Sequence, residues 1–200
     1  MSKTSEEKTI AAIATGQSPG GIGIIRISGS NARQVAQKVF RSKSGRSLLD
    51  AKGYTAQYGH VFERDILLDE AVALVFAEPA SFTGEDVVEL SCHGGMVILK
   101  NVLRAVLSAG AAAAGPGEFT KRAFLNGKLG LTEAESVMQL ISASGNQSAR
   151  VALAGHDGAL EKRINQMKER LLHAAAHLSA WADYPEDDIP ELDPTVLRGD

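Results

Sequence analysis

The sequence predicts an α+β protein, in which an α/β sheet domain with flanking helices is followed by an incomplete all-α helical domain. In the first part of the chain, runs that alternate between apolar and polar residues are mixed with runs of helical apolar spacing. From Thr132 onward only the helical spacing remains. Because apolar periodicity is the main local signal of secondary structure, this single change of period indicates two domains, residues 1–120 and 121–200.

Strands and helices are mixed in the first domain. Residues 22–28, 54–62, 71–77 and 87–92 have the composition and alternation that are typical of strands. Ser30 is expected to cap a helix that follows the first strand. Gly95 is expected to open a second helix, which ends at Gly110. These elements predict a sheet with helices packed against it.

The second domain is predicted to contain only helices. Thr132 and Glu135 have the spacing of a capping box, which indicates a helix start there. One apolar face follows around Leu140, and a second runs from Leu160 to Leu178. Two helices leave much of these faces uncovered, so we expect this part to belong to a larger bundle or to dock on another chain. The prolines within residues 183–194 are expected to end the last helix.

The composition indicates a soluble globular protein with 44% hydrophobic residues and a net charge of −3. This small negative charge argues against a dedicated nucleic-acid binder, because phosphate contacts normally require a strongly basic face. Cys92 is the single cysteine, which excludes an intrachain disulfide. The sequence shows neither a signal peptide nor a membrane-spanning stretch, and it predicts a cytoplasmic protein.

Several familiar motifs fit this sequence poorly. The glycines of residues 18–29 precede a strand, whereas a dinucleotide-binding fingerprint follows one. The pair Gly127-Lys128 is followed by Leu129, so it is not a P-loop and we expect no GTP hydrolysis by this chain alone. Cys92 and His93 are neighbours on a predicted strand and point to opposite faces, which disfavours a nucleophile and base pair.

Metal and catalytic sites are not predicted either. His173 and His177 have the helical spacing of a metal pair, but the glutamate of the zinc-protease motif is replaced by Ala174. The acidic residues between positions 183 and 188 are expected to be solvated. Arg26 is the exception that requires an explanation, since a charged side chain inside an apolar strand needs either solvent or an anionic partner.

Two segments rich in charged and turn residues remain, SFTGEDVVELSCHGG at residues 81–95 and GPGEFTKRAFLNGKL at residues 115–129. With the strings of residues 9–29 and 131–141, they resemble the N-terminal part of a bacterial tRNA modification GTPase family, called MnmE or TrmE. The resemblance extends from Thr9 to Ile189. It is specific, because several long strings occur in the same order with suitable gaps.

The resemblance implies a site for a reduced folate, 5-formyltetrahydrofolate or a related tetrahydrofolate. The family's folate-contacting residues fall on Arg26, Glu89 and Lys128. A carboxylate such as Glu89 can accept the neighbouring N–H groups of a pterin edge. Arg26 and Lys128 suit the carbonyl or glutamate-tail oxygens of folate. We expect Lys121 and Arg122, by contrast, to be solvated or interface residues.

The resemblance also implies a function and partners. Family members add a carboxymethylaminomethyl-type group to the wobble uridine of tRNA, and folate supplies the one-carbon unit. They pair as homodimers through the N-terminal domain and act with a flavin-dependent partner of the MnmG or GidA type. Their GTPase domain, with its GTP, Mg and K, is inserted within the helical domain and is absent from this chain. The alternatives are a dimerisation scaffold without a folate site, and a folate-dependent aminomethyl transferase that acts on its own.

Overall fold

The computed structural model describes residues 8–16, 18, 20–156 and 159–183, and the chain divides into two compact units between Leu129 and Gly130. The domain boundary expected after residue 120 falls inside a helix of the first unit, Glu118–Leu125. Arg122 of this helix is ion-paired with Glu85, which keeps the helix with the sheet.

The first unit is built on a seven-stranded sheet. Its strands are β1 (Ile10–Ile13), β2 (Ile22–Ser28), β3 (Phe40–Ser42), β4 (Thr55–Glu63), β5 (Ile66–Phe76), β6 (Val87–His93) and β7 (Ala112–Ala113). Their spatial order is β3-β4-β5-β6-β2-β1-β7, and adjacent strands are antiparallel except for the parallel pair of β1 and β7. The strands predicted at β2, β4, β5 and β6 are confirmed.

Helices α1 (Ala32–Val39) and α2 (Met96–Ser108) belong to the same hydrophobic core as the sheet. From the neighbouring strands β2 and β6, this core takes Ile25, Ile27, Val88, Leu90 and Cys92. Because side chains alternate along a strand, the other positions of these two strands point to the opposite face of the sheet. That face carries Ile22, Ile24, Arg26 and Ser28 of β2 and Val87, Glu89, Ser91 and His93 of β6.

The second unit contains α4 (Leu131–Ile141), α5 (Asn146–His156) and α6 (Ala159–Asp183), which follow α3 (Glu118–Leu125) of the first unit. The fold class predicted from the sequence is thus confirmed. Large apolar side chains on these helices remain exposed, among them Ile141, Met167, Leu171 and Trp181. In the part of the chain that the structure describes, no helix has the length and apolar character needed to cross a membrane.

Two predicted helix caps are wrong. The N-cap of α1 is Asn31 rather than Ser30, and its side chain makes no capping hydrogen bond. Helix α4 begins at Leu131 after Gly130, whose backbone N–H donates to Glu133 Oε2 at 2.6 Å. The capping glutamate is therefore Glu133 and not Glu135. The prolines expected to end the last helix lie outside the described residues.

Close packing at Gly59 generates a first prediction. Gly59 lies in β4 between β3 and β5, and a Cβ added there would collide with the Arg41 carbonyl oxygen and the buried ring of Phe40. Because neither group is free to move, we expect Gly59→Ala to lower the free energy of unfolding by about 1–3 kcal/mol. Urea unfolding followed by circular dichroism measures this change. Gly21→Ala is the control, since nothing lies within 4 Å of its added Cβ; equal effects of the two variants would contradict the packing argument.

Burial of Cys92 generates a second prediction. The residue is 3% exposed, and burial, with a smaller contribution from the charge of Asp69, raises the pKa of its thiol from 9.0 to about 12. The thiolate population at pH 8 is then roughly a thousandfold below that of an exposed thiol. Native protein is expected to react with a disulfide reagent far more slowly than the same chain in urea. Comparable rates in the two conditions would show that the thiol is accessible.

Candidate functional site

Arg26 and Glu89 form an ion pair on the face of the sheet that lies opposite α1 and α2. They are direct partners in the antiparallel register of β2 and β6. Arg26 Nε donates to Glu89 Oε1 at 2.8 Å, and Arg26 Nη2 lies 2.7 Å from the same oxygen. The two side chains are 28% and 15% exposed, so the pair is partly shielded from water. Of the two explanations for Arg26, the structure selects the anionic partner.

The alternation of β6 determines which way Glu89 points. Val88, Leu90 and Cys92 of this strand are buried in the core, so Glu89 and Ser91 lie on the opposite face. The expectation that Glu89 faces away from Cys92 is confirmed. The carboxylate therefore reaches the exposed face because its neighbours along the strand are needed in the core.

Part of the hydrogen-bonding capacity of this pair is unused within the described residues. Among the residues that the structure describes, none donates a hydrogen bond to Glu89 Oε2, and none accepts one from Arg26 Nη1. An ion pair whose remaining oxygen and nitrogen face outward can bind a ligand that offers both donors and acceptors. Arg26 also fixes the position of the carboxylate before any ligand arrives.

Two aromatic rings adjoin this pair. The ring centroids of Phe82 and Phe119 each lie 5.6 Å from Arg26 Cζ, within the range of a cation–π contact. Phe82 is 39% exposed. The exposed face thus combines a charged, directional centre with apolar surface suited to a flat ring.

Lys128 is positioned by the segment that carries Phe82. We call residues 79–85, between β5 and β6, the 79–85 loop. Lys128 Nζ donates to the Pro79 carbonyl at 3.2 Å, and a Cβ added at Gly84 would lie 3.1 Å from Lys128 Cγ. Arg26 and Glu89 are therefore in direct contact, whereas Lys128 is connected to them through this loop.

Arg122 is buried within the first unit, so the expectation that it is solvated is wrong. It is 6% exposed, and its Nη1 donates to both carboxylate oxygens of Glu85, at 3.1 and 3.2 Å. Its Nη2 donates to the Lys8 carbonyl at 2.8 Å and to Glu118 at 3.2 Å. Lys121 is exposed, as expected. No local pattern in the sequence indicates that Arg122 has an acidic partner 37 positions earlier in the chain.

Further hydrogen bonds connect the 79–85 loop to its surroundings. Ser28 Oγ of β2 donates to Glu85 Oε2 at 2.7 Å and also contacts Thr83 Oγ1 at 2.7 Å. Asn126 Nδ2 donates to the Thr83 carbonyl at 2.7 Å. The loop is thus attached both to the sheet and to the segment that follows α3.

Glu118 stabilises the start of α3. Its carboxylate accepts the Gly115 backbone N–H at 2.7 Å, and this bond, together with Arg122, lowers its pKa. A carboxylate in the first turn also interacts favourably with the helix dipole. Glu118 therefore remains ionised at neutral pH and contributes to neutralising Arg122.

His93 at the end of β6 forms a hydrogen-bonded pair with Asp69, which the sequence did not predict. Its Nδ1 lies 2.6 Å from Asp69 Oδ1, and its backbone N–H donates to Asp69 Oδ2 at 2.7 Å. The hydrogen bond to Asp69 raises the pKa of His93. Period-two alternation from Glu89 was the signal that places His93 on the same face, but its partner on β5 depends on strand pairing.

The candidate metal sites gain no support, and the groove beside β4 lies away from the Arg26–Glu89 pair. In the described part of the chain, no group of three or more His, Cys, Asp or Glu side chains is arranged to hold a metal ion. The acidic residues 186–188 lie outside that part. A groove of about 710 Å³ lies beside β4 and contains none of Arg26, Glu89 and Lys128. It is lined by Arg46, Ser47, Asp50, Ala51, Lys52, Tyr54, Thr55, Ala56 and Gln57.

Comparison with known proteins gives two consecutive family matches. Residues 9–128 match the family model described as GTP-binding protein TrmE N-terminus, and residues 131–200 match the MnmE helical domain. The junction between the matches coincides with the division of the structure between Leu129 and Gly130.

Curated relatives agree with these matches. A tRNA modification GTPase MnmE of Symbiobacterium thermophilum is 51% identical over 181 residues, which cover 90% of this chain and 40% of the relative. The proteins of the same name from Acetivibrio thermocellus and Geobacillus kaustophilus are each 44% identical, over 94% and 96% of this chain and 41% and 42% of their own lengths. The chain spans about two fifths of the length of these relatives. It belongs to the tRNA modification GTPase MnmE family and carries that family's N-terminal and helical parts.

Proposed function

We propose that the first unit binds a reduced folate of the 5-formyltetrahydrofolate class at the Arg26–Glu89 pair. The observation that carries this proposal is a carboxylate held in place by Arg26, with Glu89 Oε2 open, beside the rings of Phe82 and Phe119. A pterin is flat and presents adjacent N–H donors at one edge. A fixed carboxylate next to aromatic surface has the chemistry to recognise both properties.

Each proposed site residue has a distinct role in this arrangement. Glu89 accepts the N–H donors of the pterin, and Arg26 orients Glu89 while its Nη1 remains available to a carbonyl oxygen. Lys128 uses one ammonium proton on the Pro79 carbonyl and retains donors for the carboxylates of the folate tail. The acceptor at Glu89 and the donors at Arg26 and Lys128 therefore complement both ends of the ligand.

At the level of the complete protein, we propose participation in wobble-uridine modification of tRNA. The support for this step is family membership, since the curated relatives are tRNA modification GTPases. The bound folate would supply a one-carbon unit. The residues of this chain would bind and orient it, in a homodimer that acts with a flavin-dependent partner protein on tRNA. GTP, Mg and K belong to a GTPase domain outside the segments that this chain carries.

Removal of the charge of Glu89 tests the folate site. Glu89→Gln keeps the shape of the side chain but replaces one acceptor oxygen by a donor, so we expect the Kd for 5-formyltetrahydrofolate to rise about tenfold to a hundredfold. Isothermal titration calorimetry measures the affinity. Glu63→Gln is the matched control, because Glu63 is paired with Arg104 between β4 and α2. Unchanged tight binding by Glu89→Gln would remove Glu89 from the site.

A dimerisation scaffold without folate binding is the second candidate function, and the exposed apolar side chains of α4 and α6 favour it. Both candidates predict a dimer, so the sedimentation mass is expected to be twice the chain mass of 21.1 kDa. Sedimentation equilibrium measures this mass, and a monomer at micromolar concentration would contradict both. Calorimetry then separates the two candidates, since a dimer of normal stability that binds no folate is the result expected of the scaffold.

A further inference from the structure

A buried ion pair joins the two elements that bring aromatic rings to Arg26. Phe82 belongs to the 79–85 loop and lies three positions before Glu85. Phe119 belongs to α3 and lies three positions before Arg122. The contact between Glu85 and Arg122 therefore connects the loop that carries one ring to the helix that carries the other.

The geometry of this contact is well suited to fixing the 79–85 loop relative to α3. Arg122 and Glu85 side chains are 7% and 15% exposed, and one guanidinium nitrogen is shared by both carboxylate oxygens. The second terminal nitrogen is occupied by the Lys8 carbonyl and by Glu118. A planar guanidinium with several fixed acceptors restricts all the groups that it contacts. A lysine at this position would provide the positive charge but not the planar set of N–H donors.

Further hydrogen bonds connect the same elements of the structure. Ser28, two residues beyond Arg26 on β2, donates to Glu85 and contacts Thr83. Asn126, just after α3, donates to the Thr83 carbonyl. The ion pair thus lies at the centre of a hydrogen-bonded connection between β2, the 79–85 loop and α3.

We propose that Arg122 and Glu85 are positioning residues for the Arg26–Glu89 site. Their ion pair holds the 79–85 loop and α3 in place. Phe82 and Phe119 are thereby kept beside Arg26, where they can contact a flat heteroaromatic ring of the ligand. Neither Arg122 nor Glu85 needs to touch the ligand. The inference rests on the proposed folate site, and it adds that affinity depends on residues placed beside that site rather than in it.

The test compares Arg122→Lys with a matched control in the full 200-residue chain. Arg104→Lys is the control, because Arg104 forms an exposed pair with Glu63, for which little coupling is expected. Affinity for 5-formyltetrahydrofolate is measured by calorimetry well below the unfolding temperature of each variant. Backbone hydrogen exchange of residues 78–86 is measured by mass spectrometry without ligand. Glu85→Gln replaces Arg122→Lys if the latter does not fold.

For Arg122→Lys, we expect faster exchange in residues 78–86 and a Kd raised roughly tenfold to a hundredfold, as misplacement of binding groups produces. Arg104→Lys is expected to change neither quantity by more than about twofold. Faster exchange with unchanged affinity would reduce the pair to a structural role and overturn the proposal. Unchanged exchange in residues 78–86 would overturn it as well.

Failure of the proposed folate site has a different signature. If Arg26→Met and Glu89→Gln bind the ligand as tightly as the unaltered chain, or if the unaltered chain does not bind it, the folate site is refuted whatever Arg122→Lys does. If these two variants lose affinity while Arg122→Lys retains it, the site stands and only the positioning role is lost.

Discussion

The antiparallel pairing of β2 with β6 is the constraint on which the rest of the first unit depends. It buries Ile25 and Ile27 of one strand with Val88 and Leu90 of the other in the core. The same register places Arg26 opposite Glu89 on the other face. A slip of one residue in β6 would turn Glu89 into the core and Leu90 out of it, which costs both apolar burial and the desolvation of a charge. Packing on one face thus determines the position of the charged pair on the other.

The candidate site combines this sheet with two segments that are not strands of the sheet. The 79–85 loop and the residues around α3 supply Phe82, Phe119 and Lys128, and buried or partly buried polar contacts hold these segments in place. Each charge within the connection has a partner of opposite sign, since Arg122 contacts both Glu85 and Glu118. Such pairing matters because an unpaired buried charge is strongly destabilising. Loops on a firm scaffold are the usual carriers of binding residues.

The second unit shows a different balance of burial. Its helices expose Met138, Ile141, Leu171 and Trp181, whereas the largest apolar side chains of the sheet core are almost completely enclosed. Apolar area that remains in contact with water contributes nothing to folding of the described helices. Its burial in an assembly would add stability of the kind that the first unit already obtains from α1 and α2. The sequence predicted these uncovered faces from helical spacing alone.

Periodicity in the sequence was sufficient for β2, β4, β5, β6 and α2, because each is long enough to show its repeat. It was insufficient for β1, β3 and β7, strands of four, three and two residues, and for α3 within a turn-rich segment. Alternation also placed Glu89 away from Cys92, and the resemblance to a known family made Arg26, Glu89 and Lys128 the candidate folate-binding residues. Only the tertiary structure decided that Arg26 pairs with Glu89, 63 positions away, and that Arg122 is buried against Glu85. The physical reason is that local spacing determines the face on which a side chain lies, whereas its partner depends on which distant strand or loop the core brings beside it.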